Sequence, residues 1–374
     1  MRGLNIRLYP TKEQEELMYK HIGSMRFVWN WALDKQVDFY KKTKKKLSVT
    51  ELGKELTRIK QLKEYTWLYE VSNATLKESI RDLDKAYQRF FKGSGFPKFK
   101  SRKKSEPRFY SRYDKVKFTK DTVNLEKIGK VKYRADYAMD LTQITKFANP
   151  RVKFNGRCWV LTLGIETSIK EVKINDFSLG IDLGIKELAI TNIDELDTKN
   201  INKTQKVKKL IKKLKRLQRQ CSRKYENNRE GVRYQKTKNI AKLENKIKKL
   251  HNKIRNIRLN HIHQATSMMV KTKPSRVVME DLNVRGMMKN RHLSRAIAEQ
   301  GFYTFISQMK YKCERYGIEF IQVPRFYPSS KTCSNCGNIK KDLKLSDRTY
   351  RCSCGFTCDR DKNASYNLAN YDLE

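Results

Sequence analysis

Two sets of residues in this 374-residue chain have the types and spacing to do chemistry. The first is cysteine: Cys333-Ser-Asn-Cys336-Gly and, fifteen residues further on, Cys352-Ser-Cys354-Gly. Two turn-forming cysteine pairs supply four thiolates for one tetrahedral Zn²⁺, and a site with no open position is structural. Gly337 and Gly355 follow the pairs, where a metal-binding turn needs backbone free of Cβ. The second pair is CxC, one residue shorter than the usual CxxC, and Cys358 lies near enough to replace one of its members. Cys158, Cys221 and Cys313 are isolated and read as buried or incidental.

The second set is acidic. Asp182 sits in Leu179-Gly-Ile-Asp-Leu-Gly-Ile and Glu280 in Val277-Val-Met-Glu-Asp-Leu. An acid within or at the end of an apolar strand is unfavourable to bury unless it binds something. Asp359 and Asp361 lie in Cys358-Asp-Arg-Asp-Lys-Asn-Ala, just before the last expected helix, where capping is an alternative role. Two strands and a helix start would bring three acids together. Phosphodiester cleavage needs such a cluster: shared carboxylates hold two Mg²⁺ ions about 4 Å apart, one activating water and the other steadying the leaving oxygen. Mn²⁺ suits the same oxygen ligands.

The surroundings have the opposite sign. Lys and Arg number 83 against 40 Asp and Glu, a formal net charge of +43. A polyanion relieves such self-repulsion, and nucleic acid, through counterion release, is the natural one. Two stretches concentrate the charge. Phe96-Pro-Lys-Phe-Lys-Ser-Arg-Lys-Lys interleaves aromatics with Lys98, Lys100, Arg102, Lys103 and Lys104, which read as phosphate contacts. Residues 203–258 hold 22 Lys and Arg against 3 Glu, among them Lys212, Lys213 and Arg216. The N-terminus lacks the apolar core of a signal peptide, and no run approaches the roughly 18 apolar residues of a membrane helix. The clustered cysteines suit a reducing cytosol better than a disulfide scaffold.

The elements that must position these groups follow from periodicity. Arg2 to Pro10 alternates like a short strand. Thr11 with Gln14 is a capping-box signal for the helix after it, and helical patterns recur around 48–60 and 72–92. Short β-like runs at 115–119, 130–133, 145–147, 151–154 and 158–163 suggest, with the first strand, a small β-barrel or sheet (1–10 and 93–171) carrying a helical insert (11–92). Strands are expected at 178–183, 187–191, 276–279 and 318–323, and helices at 293–316 and 361–371. In 240–257 the apolar residues step 3, 4, 3, 4, 3, a heptad seam. It matches the stripe Val207, Leu210, Ile211, Leu214, Leu217, so 203–262 reads as a basic antiparallel helical hairpin. The fold class is α/β plus β-barrel and helical insert.

The segments GIDLGIKELAITN, VVMEDLNVRGM and CSNCG…YRCSCGFTCDRDKNASYNLA resemble the three RuvC segments and zinc ribbon of the TnpB (OrfB) family of bacterial insertion sequences. That family is itself similar to type V CRISPR nucleases. RLYPTKEQEELMYKHIGSMRFVWNWAL and ESIRDLDKAYQRFFKG…FPKFKSRKK resemble it too, so the likeness spans nearly the whole chain.

The resemblance implies an RNase H-like (RuvC) nuclease domain over 172–328 and 356–374, with a zinc ribbon at 329–355. The first part would be a wedge β-barrel with a helical recognition insertion. Asp182, Glu280 and Asp361 would be the catalytic triad; the family's acid stands two residues before the Asn of an Asn-Ala pair, here Asn363, with Asp359 as its neighbour. The partners would be a guide RNA derived from the transposon end, one protein per guide, and double-stranded target DNA beside a short transposon-adjacent motif. The location would be the bacterial cytoplasm, at the nucleoid. The chemistry would be RNA-guided DNA cleavage; the alternatives are transposase strand transfer and a catalytically silent, guide-loaded regulator. Residue types alone reach a polyanion partner, a structural zinc and an acidic metal site; RNA guidance follows from the resemblance.

Overall fold

The computed structural model describes residues 2–102, 105–134, 141–143, 146–166, 172–344 and 347–371. The chain divides into two units, Met1–Thr167 and Ser168–Glu374.

The first unit opens with β1 (Arg2–Tyr9), whose alternation buries Leu4, Ile6 and Leu8. Helix α1 (Lys12–Thr43) starts at the expected capping box: Thr11 Oγ1 accepts from the Gln14 amide, and Gln14 Oε1 accepts from the Thr11 amide. Helices α2 (Val49–Lys60) and α3 (Asn73–Phe91) follow; α3 packs on α1 and α2 on α3, in one cluster with Val28, Leu33, Leu56, Leu76 and Ile80. Strands β2 (Arg108–Tyr110), β3 (Lys117–Phe118), β4 (Thr122–Leu125), β5 (Gly129–Arg134), β6 (Phe147–Phe154) and β7 (Trp159–Ile165) join β1 in one antiparallel sheet, order β2-β6-β7-β1-β5-β4-β3. Among the described residues β2 and β3 stay at the two ends of this order, so the hydrogen-bonded sheet is open. The runs expected at 145–147 and 151–154 belong to one strand, β6. A register shift between Ala148 and Arg151, with Asn149 at φ 50°, absorbs the break in alternation; position 145 lies outside the described residues. Strands β2 and β4 are too short to show a period and were not expected.

The second unit is built on a four-stranded sheet, order β13-β12-β8-β9, from β8 (Asn175–Leu183), β9 (Ala189–Thr191), β12 (Pro274–Glu280) and β13 (Glu319–Val323). β8, β12 and β13 are parallel and β9 is antiparallel. Between β9 and β12 the chain forms α4 (Gln205–Glu226), a small ribbon of β10 (Arg229–Glu230) and β11 (Arg233–Tyr234), and α5 (Lys238–Lys271). Leu214, Leu250 and Ile254, then Cys221, Ile240 and Leu243, pack along the hairpin as the heptad steps require. Helix α5 runs past the expected end. Beyond residue 258 its apolar side switches from the α4 seam to the sheet core, where Ile262, Ala265 and Met269 meet Leu179, Ile181, Val277 and Met279.

Helices α6 (Val284–Met287), α7 (Ser294–Gln300) and α8 (Phe302–Tyr316) lie between β12 and β13. The single helix expected over 293–316 is two, because Gly301 adopts φ 72° and ends α7. After β13 come the cysteine segment with β14 (Thr349–Arg351) and β15 (Thr357–Asp359), then α9 (Arg360–Ala369). Helix α8 covers one face of the sheet with α5, and α9 covers the other. Among the described residues no helix is long and apolar enough to cross a membrane.

Candidate active site and cysteine cluster

Strand alternation decides where the acids point. Leu179, Ile181 and Leu183 of β8 enter the core under α5 and α8, so Gly180 and Asp182 face α9. In β12, Val277 and Met279 share that same core while Val278 packs on Leu368 of α9, which puts Glu280 on the α9 face too. The parallel register pairs Val278 with Gly180 and Met279 with Ile181. Continued one step, it sets Glu280 abreast of Asp182 at the C-terminal edge of the sheet, where open α/β sheets place their ligand sites.

Helix α9 brings the third acid. Asp359 is its N-cap, its carboxylate accepting from the Asp361 amide at 2.9 Å and the Lys362 amide at 3.4 Å. The capping role therefore belongs to Asp359 and leaves the Asp361 side chain for other partners. Arg360 donates to Asp361 Oδ1 at 3.0 and 3.2 Å, and Arg348 lies 3.7 Å from Oδ2. Lys362 Nζ bonds the Thr191 carbonyl at 2.7 Å and pairs with Asp194, tying the first turn of α9 to β9. Glu280 Oε1 accepts from the Ser329 hydroxyl.

The electrostatics of the three acids are unfavourable as they stand. Burial, then the charges of Glu280 and Asp361, hold the Asp182 carboxyl well above the usual carboxylate range; Arg360 acts the other way. Burial also raises Glu280, against the Ser329 hydrogen bond. A cation among the three would relieve both, and an all-oxygen donor set suits a hard divalent ion. The carboxylate oxygens do not converge as tightly as the thiols. Among the described residues the four cysteines are the one group of three or more ligands whose atoms all lie within 4.8 Å of one another.

That group is Cys333, Cys336, Cys352 and Cys354. The Cys333 and Cys354 sulfurs are 3.8 Å apart, and those of Cys336 and Cys352 are 3.6 Å apart. Zn–S bonds of about 2.3 Å give a tetrahedron with edges of about 3.8 Å, so the four thiols fit one metal. The CxC pair is thus the second pair. Cys358 stands apart, its thiol on the Asp359 carbonyl. Gly337 (φ 74°) and Gly355 (φ 87°) occupy the left-handed region expected after each pair. The cluster is bonded to α9: Asn363 accepts from the Ser334 amide at 3.1 Å and donates to the Thr332 carbonyl at 2.6 Å, and Asn367 donates to Thr332 and Ser329.

The basic residues fall into distinct settings. Lys212, Lys213 and Arg216 line the exposed side of α4. In the first unit Lys98 and Arg102 are exposed. Lys100 is not free in solvent: its ammonium lies 3.3 Å from the centre of the Trp29 ring, and its amide donates to Asn30 Oδ1. Burial lowers Lys100 to about 8. The segment is no regular strand: Trp29 Nε1 donates to the Lys98 carbonyl and Asn30 Nδ2 to the Lys100 carbonyl, so Lys100 helps to hold it on α1. Lys103 and Lys104 lie outside the described residues. Trp29 belongs to the core.

Sequence reading missed Ser329, Arg348 and Lys362. Arg360 was visible between two acids in Asp-Arg-Asp, but its pairing was not. The hydroxyl of Ser329 carries no local signal, because its partner Glu280 is 49 residues away.

Residues 163–291, which include Asp182 and Glu280, match the OrfB IS605 family, described as a probable transposase. Residues 302–368, which include the four cysteines and Asp361, match the Cas12f1-like TNB domain. Residues 1–45 match a helix-turn-helix domain family of OrfB IS605; in this chain they form β1 and the unbroken helix α1. A Streptomyces pristinaespiralis protein whose name describes an RNA-guided DNA endonuclease is 30% identical over 372 residues, covering 98% of this chain and 88% of its own length. InsQ of Escherichia coli (strain K12), named in the same way, is 31% identical over 386 residues, covering 98% and 91%. A chain of the cryo-EM structure of a Cas12f1–sgRNA–target DNA complex superimposes with a TM-score of 0.62 at 16% identity, over 96% of this chain and 83% of that one. This last likeness speaks for the fold alone.

Proposed function

This chain belongs to the TnpB (OrfB) family of RNA-guided DNA endonucleases, and from that premise we propose that it cuts DNA at Asp182, Glu280 and Asp361. The observation that carries the assignment is the register of β8 and β12. It sets two acids side by side on the one sheet face that also receives the start of α9.

Each residue has a separable task. Asp182, raised by burial and then by both other acids, would be the residue that gains most from holding a cation. Glu280 is held toward it by Ser329. Asp361 is held by Arg360, whose guanidinium fixes the carboxylate through two hydrogen bonds. Lys362 and the Asp359 cap fix the helix turn that carries Asp361. Two Mg²⁺ ions at these ligands would supply an activated water and neutralise charge on the scissile phosphate; Mn²⁺ would serve the same donors. The four-cysteine cluster is read as a structural zinc ribbon that braces α9 through Asn363 and Asn367.

The formal net charge of +43 supports a chain saturated with nucleic acid in use. In this reading the exposed cations of α4 and of the segment around Lys98 meet phosphates of a guide RNA derived from the transposon end and of the duplex it opens. Base pairing reads the target, and the protein reads a short adjacent motif, a division of labour seen in other RNA-guided nucleases.

The test is to co-express the protein with the DNA flanking its gene and sequence the RNA that co-purifies. One discrete species, with a fixed structured part and a variable end, is the expected result. A heterogeneous population stripped by salt would overturn the guided reading and favour strand transfer or DNA-binding regulation.

A further inference from the structure

The segment between β13 and the first cysteine carries Phe326, which is 92% exposed. Single exposed apolar residues are ordinary on protein surfaces. This one is unusual in what holds it. It sits at the tip of a turn closed by the Tyr327 amide on the Pro324 carbonyl at 2.9 Å. The Tyr327 hydroxyl reaches the Asn367 carbonyl of α9 at 3.3 Å, and its ring packs edge-on against Tyr371, centres 5.0 Å apart. Two residues further, Ser329 bonds Glu280 and accepts at its carbonyl from Asn367 at 2.6 Å. Tyr327 is therefore a half-buried anchor, while Phe326 is held out on a turn tied to a site carboxylate. Arg325, beside it, is paired with Asp281 at 2.8 Å, and both are about half exposed, so its guanidinium can reach a phosphate at little loss.

We propose that Phe326 is a stacking platform for an unpaired base of the DNA strand whose phosphodiester lies at the carboxylates. A rigid aromatic face next to a cation is how single strands are held without regard to sequence. A paired, stacked base offers no open face, so this contact selects single-stranded DNA, the form that guide pairing exposes in one strand of its target. Phe326 is a positioning residue: it orients the strand and touches no reacting atom. The inference rests on the nuclease reading above and adds what holds the substrate there.

Two measurements test it. On guide-loaded protein, Phe326→Ala is expected to lower the single-turnover cleavage rate at subsaturating target by about 5- to 150-fold, the range for loss of one base–aromatic stack. Phe326→Trp should recover that rate and Phe326→Leu should not, with all three melting at the wild-type temperature because the ring packs on so little. Separately, 2-aminopurine walked along the displaced strand should be quenched at one position by Asp182→Asn protein. The same probe should regain its fluorescence with Asp182→Asn/Phe326→Ala. Leucine serving as well as phenylalanine, or no quenched position, would overturn the proposal. The quenching is read whether or not a strand is cut, so a protein that stacks the base and never cleaves would sink the nuclease reading instead.

Discussion

Gly180 of β8 lies against the Ser365 carbonyl oxygen of α9, so close that a Cβ at 180 would clash with it and with the Ala369 amide nitrogen. Both obstacles are backbone, which cannot swing aside. The glycine is thus what lets α9 lie on the sheet and deliver Asp361 to Asp182.

Gly180→Ala should push α9 outward. Overpacking of this kind costs about 1–3 kcal/mol, and a melting temperature falls about 2–4 °C per kcal/mol in a unit of this size. Displacing a catalytic group by about 1 Å costs on the order of 10²-fold in rate. The variant should therefore fold, melt several degrees lower and lose most DNA cleavage while guide RNA binding persists. A thermal melt run beside a cleavage assay checks this; wild-type cleavage would mean that α9 does not carry a catalytic acid.

Asp182→Asn should stabilise the protein in EDTA and abolish cleavage. The wild-type carboxyl is opposed by burial and by two acids, and the amide removes that repulsion while keeping the shape. Adding Mg²⁺ should raise the melting temperature of the wild type and leave the variant nearly unmoved. If EDTA and Mg²⁺ melts do not differ between the two proteins, the acids do not bind the cation together.

Metal at the cysteines should be coupled to the active site. Cys336→Ser is expected to lose zinc and, through Ser334, Thr332 and their bonds to Asn363 and Asn367, to lower cleavage. Cys358→Ser should keep one zinc per chain, because its thiol is outside the cluster. Zinc content of the two variants decides between CxC and the alternative ligand.

A pH effect should come from Lys312. It lies in α8, donates to the Thr266 and Ser267 hydroxyls of α5 at 2.6 and 2.8 Å, and is lowered by burial to about 8. Unfolded, a lysine titrates near 10.4. Between those values the unfolded chain binds more protons, so the linkage relation makes stability rise with pH from about 8 to about 10.4. Melts of the wild type minus Lys312→Met should show this gain from pH 8 to 10; groups titrating alike in both proteins cancel.

Lys212, Lys213 and Arg216, all changed to Gln, should weaken RNA binding and flatten its salt dependence. At about 0.7 released ions per contact on a single strand, the log–log slope should fall by about 2. An unchanged slope would take this face of α4 out of the RNA contact.

Much of this was legible where the information is local. The capping box at Thr11 and Gln14 fixed where α1 begins, and the 3,4 stepping of Ile240 to Ile257 set the hairpin seam. The cysteine spacing marked the four thiols that meet, with Cys358 left open as a substitute until the structure set it apart. What was not legible depends on partners distant in sequence or on single backbone angles. Gly301 breaks an apparently continuous helix because φ 72° is open to it, yet glycine is tolerated in helices as well. The inward turn of Lys100 follows from Trp29, 71 positions away, and Ser329 acts only because β12 ends beside it. Asp182, Glu280 and Asp361 were each visible as misplaced acids; their shared face required the register of two parallel strands.

Guided cleavage at Asp182 is tested by programming the purified protein with a guide RNA matched to a plasmid target in Mg²⁺ and comparing wild type with Asp182→Ala. The wild type should cleave at the guide-matched site and not with a mismatched guide, and Asp182→Ala should bind the target without cutting it. Cleavage that survives Asp182→Ala, or that occurs without the guide, would contradict guided cleavage at this residue.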